Sequence, residues 1–94
     1  MTCLHILNKA PNLPRFAACL ADLEAGDQLL LTENAVLSIL DNGICWPHGV
    51  TLCALKPDAE ARGVAVENAA IQIDSIDFRE FVNLTLNADK VVCW

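Results

Sequence analysis

The sequence predicts an α/β protein, a single small three-layer domain over residues 1–94 with a mostly parallel sheet of about five strands and helices on both faces. Short apolar runs alternate with segments of helical period along the whole chain. The run Leu29-Leu30-Leu31 is apolar without alternation, as a strand covered on both faces requires. The composition is 54% hydrophobic and 19% charged, too apolar for disorder and apolar enough to fill two sheet faces or a permanent interface.

Each element follows from local pattern. Thr2–Leu7 reads as a first strand, and Asn8–Leu13 as a loop. Pro14 suits the first turn of a helix, where its missing N–H costs nothing. Leu13, Phe16, Ala17, Leu20 and Leu23 form the expected inward stripe of that helix, which Gly26 ends. Gln28–Thr32 is the second strand. Glu33–Leu40 is a short second helix with Val36, Leu37 and Leu40 inward. Asp41–His48, with Asn42-Gly43 and Pro47, is a loop, and Val50–Leu55 is the third strand. Pro57–Arg62 forms a helical turn closed by Gly63, and Val64–Ala70 carries no clear period. Ile71–Asp74 is read as the fourth strand. Asp77 caps a last helix to about Leu86, with Asp77 and Glu80 spaced as a capping box and Phe78, Phe81, Val82 and Leu84–Leu86 as its apolar side. Lys90–Trp94 adds a short final strand.

Charge and composition exclude several functions. Twelve acidic against six basic residues give a net charge of −6, so phosphate neutralisation is weak and direct nucleic-acid binding is not expected. The same charge disfavours an anionic membrane surface. Met1–Leu7 is too short for a signal segment and no run approaches a membrane span, so the expected location is cytoplasmic. The five cysteines, Cys3, Cys19, Cys45, Cys53 and Cys93, contain no CxxC pair and are expected as free thiols. His5 and His48 have no paired cysteines beside them, so no metal is expected. His5 is read as a satisfied buried or interface imidazole. There is no GxGxxG, P-loop or GxSxG, and no cofactor is expected.

The order of short words carries a family resemblance. Leu4-His5 precedes Asn8-Lys9-Ala10-Pro11 and Phe16; then come Gly26-Asp27-Gln28-Leu29-Leu30-Leu31 and Glu33-Asn34-Ala35-Val36. Ala54-Leu55-Lys56-Pro57-Asp58, Ala61-Arg62-Gly63, Asp77-Phe78, Phe81-Val82, Leu84-Thr85 and Trp94 follow. Across nearly the whole chain this resembles the TusB/DsrH family. The resemblance implies a DsrE/DsrF/DsrH-like fold and a subunit of a cytoplasmic sulfurtransferase complex that relays persulfide sulfur. The sulfur would serve either 2-thiolation of the tRNA wobble uridine (TusBCD) or dissimilatory sulfur oxidation (DsrEFH). It implies TusC/DsrF-like and TusD/DsrE-like partners in a heterohexamer with two copies of each subunit. In TusD/DsrE-like partners the principal persulfide cysteine follows the third strand; the comparable stretch here is Lys56-Pro57-Asp58, without a cysteine. The resemblance thus implies an accessory, structural subunit, which leaves open whether the chain has catalytic activity of its own.

Two thiols are candidates for chemistry. Cys19 corresponds to a cysteine that DsrH-type members carry in the first helix; it is placed at the edge of the core, one turn from Arg15, which favours a thiolate, and one turn from Asp22, which opposes it. Boundary packing is the competing reading. Cys45 is the rival, in a loop beside Trp46 and three residues before His48, as a thiolate–imidazolium pair would need; loop anchoring by Trp46 is set ahead of it. Cys3 and Cys53, in strands, are expected to be inert, so Cys19 and Cys45 should alkylate first. A stand-alone flavodoxin-like binding or regulatory domain is the reading from another class.

Overall fold

The computed structural model describes residues 2–94; Met1, counted in the apolar opening run above, lies outside them. Five strands, β1 (Cys3–Leu7), β2 (Gln28–Leu31), β3 (Thr51–Leu55), β4 (Asp74–Ile76) and β5 (Lys90–Cys93), form one sheet in the order β4-β3-β2-β1-β5. All four pairings are parallel. The helices are α1 (Pro14–Asp22), α2 (Lys56–Ala61) and α3 (Phe78–Asn87), with 3-10 helices at Glu33–Leu40 and Val66–Asn68.

Strand order decides which face each helix takes. Each step from β1 through β4 moves one strand in the same direction, and right-handed crossovers therefore put the intervening helices on one face. The step from β4 to β5 runs back across the sheet and delivers α3 to the other face. Two cores result. The larger joins Leu7, Leu29, Leu31, Leu52 and Ala54 of the sheet to Phe16, Cys19, Val36, Ile39 and Ala59 of the overlying helices. The smaller joins Leu4, Leu30, Cys53, Leu55 and Ile76, with Phe81 and Leu84 of α3 packed against it.

Several boundaries and faces differ from the expectations for physical reasons. The buried line of α1 is Phe16, Cys19 and Leu23, while Leu13 is exposed. The helix stops at Asp22 because Leu23 turns extended and drops into the core. The Glu33–Leu40 segment is helical but 3-10, with about three residues per turn, so Ala35 and Ser38 eclipse one another, as do Val36 and Ile39. Those four are buried and Leu40 points to solvent. The fourth strand lies at Asp74–Ile76 rather than Ile71–Asp74, because pairing Leu55 with Ile76 seals the smaller core.

Trp46 bears out its reading as an anchor: it packs edge-on to Phe16 at 6.1 Å and fastens the Asp41–His48 loop to the larger core. Gly49 lets that loop close. Its φ is +77°, and a Cβ there would lie 2.9 Å from the Cβ of Ala25. The Gly49 carbonyl accepts from the Gly26 N–H at 2.9 Å.

α3 begins with a complete capping box. The Asp77 carboxylate accepts from the Glu80 N–H at 2.8 Å, and the Glu80 carboxylate accepts from the Asp77 N–H at 3.2 Å. No residue of α3 is fully buried, so the helix leans heavily on this cap. Asp77→Ala is expected to lower global stability by about 1 kcal/mol in urea unfolding, with an unchanged unfolding slope.

A polar cluster at the amino ends of the strands

Asp27 leads into β2, and its placement follows from the residue before it. Gly26 has φ +94°, a left-handed turn open to glycine. The turn lets the Asp27 Oδ2 accept from the Glu24 N–H at 3.0 Å and reach across to β1. There it meets His5, which is only 2% exposed. The Asp27 side chain is itself 13% exposed and lies 3.0 Å from His5 Nε2.

His5 is satisfied on both ring nitrogens, which defines its tautomer. The indole N–H of Trp94 donates to His5 Nδ1 at 3.1 Å, so Nδ1 carries no proton. The ring proton is then on Nε2 and donates to Asp27. Trp94 also stacks on the imidazole, with centroids 6.2 Å apart and planes 20° off parallel. This tie links β1, the entry to β2 and the residue after β5. The expectation of a satisfied, buried His5 holds.

Cys3 is the third member. Alternation along β1 puts Cys3 and His5 on one face, and Cys3 Sγ lies 3.4 Å from the same Nε2. This is not a nucleophilic triad, where thiol and carboxylate would occupy opposite ring nitrogens. Burial, then the negative charge of Asp27, push the Cys3 thiol above its ordinary value, so it is a poor thiolate. Cys3 is half-buried and opens to a 350 Å³ pocket shared with Asp22, Glu24 and Lys90, so it is not the enclosed core residue expected. Local pattern does not predict the grouping of Cys3, His5 and Asp27; the Cys-x-His alternation and the Gly-Asp turn are its only signals in the sequence.

The two sequence candidates fall elsewhere. Cys19 is fully buried in the larger core, not at its edge, because the inward line of α1 runs through it. Burial, then Asp22, push its thiol up to about 12. Cys45 and His48 are both exposed, and no hydrogen bond joins them among the described residues. Cys53 is buried as expected, its thiol pushed to about 11 by burial and then by Asp74. Cys93 is exposed at the outer strand.

The stretch after β3, Lys56-Pro57-Asp58, carries a carboxylate. Asp58, in the first turn of α2, accepts from the Glu33 N–H at 2.6 Å. Glu33 has φ +48°, an uncommon conformation for a residue with a side chain, and this hydrogen bond braces it. Arg62 crosses the same end of the sheet, donating to Asn34 Oδ1 at 3.0 Å and to the Asp58 carbonyl at 3.2 Å.

Two outcomes are expected. In the reduced native protein, Cys45 and Cys93 should alkylate first and Cys19 and Cys53 only on unfolding, as mass mapping over time would reveal; early labelling of Cys19 would contradict its burial. Cys19 and Cys53 stay protonated in the fold well above the ordinary thiol value of 9.0, while the unfolded chain ionises there. The unfolded state thus binds fewer protons above that value, and stability should be full below pH 9 and fall as pH rises toward the folded values of about 11 and 12. Urea midpoints across that range check the sign, and Cys19→Ala should flatten the slope.

Comparison with known proteins places the chain in a family. A family model described as "DsrH like protein" matches residues 9–91. Protein TusB of Pectobacterium atrosepticum is 34% identical over 95 residues, covering 97% of this chain and 99% of that protein. Protein TusB of Buchnera aphidicola is 30% identical with the same coverage. Among solved structures, the crystal structure of the ychN protein from E. coli superposes with a TM-score of 0.76 at 20% identity, covering 100% of this chain and 99% of that one. The solution structure of protein Tm0979 from Thermotoga maritima gives 0.67 at 23% identity, covering 89% and 91%. The two structures share the fold, and the sequence matches carry the kinship: this chain belongs to the TusB/DsrH family.

Proposed function

We propose that this chain is an accessory subunit of a cytoplasmic sulfurtransferase complex, supporting a partner's persulfide cysteine rather than carrying the sulfur itself. The observation that carries this reading is Asp58. It lies in Lys56-Pro57-Asp58, the stretch comparable to the one that bears the principal persulfide cysteine in TusD/DsrE-like partners, where this chain has no cysteine, and its carboxylate is already engaged by the Glu33 N–H. A carboxylate cannot take up sulfane sulfur. Cys19, the alternative carrier, is sealed in the core with a strongly raised thiol value, so a donor persulfide has neither access nor a thiolate to meet. The relayed sulfur would serve tRNA wobble-uridine thiolation or sulfur oxidation: the relatives carry the name TusB and the family model the name DsrH.

The surface supports a subunit role. Phe78, Val82 and Leu86 recur every four residues on α3 and are 59%, 54% and 76% exposed. They form an apolar stripe of the kind a permanent interface covers. β5 adds an unpaired strand edge with exposed Val91. The partners are TusC/DsrF-like and TusD/DsrE-like subunits, in a hexamer with two copies of each chain.

Co-expression with those subunits tests the reading. A single species of hexamer mass is expected by light scattering, with persulfide label on the TusD/DsrE-like partner and none on Cys19. Cys19→Ser should leave transfer by the complex unchanged. Val82→Asp should cut assembly at least about tenfold, an interface loss above 1 kcal/mol, with an unaltered circular dichroism spectrum. Sulfur loading of Cys19 in the assembled complex, or failure to assemble with either partner, would overturn it.

A further inference from the structure

We propose that Cys3, His5 and Asp27 form a binding site for one zinc-class divalent cation, open to solvent on one side. The donor atoms converge on a point. Cys3 Sγ and Asp27 Oδ2 lie 3.4 Å and 3.0 Å from the same atom, His5 Nε2. All three donors fall within 4.8 Å of one another. Ligands of a tetrahedral zinc ion, at bond lengths of about 2.0–2.3 Å, stand about 3.3–3.6 Å apart. The sulfur–nitrogen separation already meets that requirement, and the Asp27 carboxylate, which now accepts the Nε2 proton, must swing off the Nε2 axis to let the ion in.

The donor set selects the metal class. One thiolate, one imidazole and one carboxylate suit zinc or cobalt and poorly suit magnesium or calcium, which take oxygen ligands. The frame is stiff where it must be. Cys3 and His5 stand on one strand, and the Asp27 carboxylate is steadied by the Glu24 N–H. Access comes from the 350 Å³ pocket lined by Cys3, His5, Asp27, Asp22, Glu24 and Lys90, which leaves the fourth position to water or an exogenous ligand. Asp22 and Glu24 add negative charge at the mouth, against the single cation of Lys90.

Proton balance ties the site to Trp94. A cation on Nε2 displaces the proton that Nε2 now donates to Asp27, and coordination of sulfur displaces the thiol proton. One of the two goes to solvent and the other settles on Nδ1. Nδ1–H would then face the Trp94 indole N–H, donor against donor, so the indole must leave its 3.1 Å hydrogen bond when metal binds. The geometry thus makes Trp94 the built-in reporter of occupancy.

The full chain, reduced with a non-chelating phosphine and stripped of metal, is titrated with Co²⁺ and then Zn²⁺. One-to-one binding is expected, with a sulfur-to-cobalt charge-transfer band that Zn²⁺ abolishes. Tryptophan fluorescence should change on binding, and Trp94→Phe should lose most of that change while still binding. Cys3→Ser should remove the charge-transfer band, and both Cys3→Ser and Asp27→Asn should weaken Zn²⁺ at least about tenfold; Cys45→Ser and Cys93→Ser should bind as the unaltered chain does. Cadmium NMR on the unaltered chain, with a shift diagnostic of one sulfur ligand, keeps the test valid if a variant misfolds. No saturable one-to-one binding, or a charge-transfer band that survives Cys3→Ser and disappears in Cys45→Ser or Cys93→Ser, would overturn the proposal.

Discussion

A right-handed crossover can leave a parallel strand on only one side of the sheet, and that constraint shapes most of this molecule. Three successive steps in one direction stack α1, the first 3-10 helix and α2 over the same face, and only the long return from β4 to β5 supplies a helix to the other. The two cores are unequal as a result. α3, ten residues and about 15 Å long, lies alone on a sheet about 19 Å across at the usual strand spacing of about 4.8 Å. It turns Phe81 and Leu84 to the strands and leaves Phe78, Val82 and Leu86 in water. An apolar helix face of that kind is costly in a free chain and useful in an assembled one.

The same topology explains the polar tie inside the larger core. β5 arrives beside β1 and brings Trp94 over His5, while the β1–β2 pairing brings Asp27 alongside. A buried imidazole without partners would cost several kcal/mol, about 2 or more by transfer scales. Here both ring nitrogens are engaged, so the polar group carries little penalty and holds three strands in register. The placement of Cys3 beside the same nitrogen adds chemistry to what would otherwise be a purely structural clasp.

Thiol chemistry in this chain is governed by burial rather than by charge partners. Cys19 and Cys53 sit among aliphatic side chains that penalise the thiolate, and acidic neighbours reinforce the effect. Exposed Cys45 and Cys93 stand in loop and edge positions with no hydrogen-bonded base among the described residues. The end of the sheet where such folds place reactive groups is occupied here by Asp58, Glu33, Asn34 and Arg62, bonded among themselves. That distribution supports the accessory role proposed above.

The order and type of nearly every element was legible in the residues, because these depend on local terms. The Leu-Leu-Leu run, Pro14 at a helix start and the Asp77–Glu80 box act within a few residues of one another. Family kinship was legible too, through the order of short words. What local pattern could not reach was any choice that depends on a distant partner. The 3-10 winding that buries Ile39 and frees Leu40 follows from the sheet beneath it. The slip of β4 to Asp74–Ile76 follows from pairing with β3. Cys19 is sealed because α1 turns its Phe16–Cys19–Leu23 line to the sheet and leaves Leu13 outside, a choice of face made by the packing. The Cys3–His5–Asp27–Trp94 cluster spans the chain from its third residue to its ninety-fourth. The sequence by itself determined the elements and the lineage, since propensity, capping and word order are local; only the tertiary structure decided which thiols are closed and which side chains meet, since burial and convergence arise when distant strands pair.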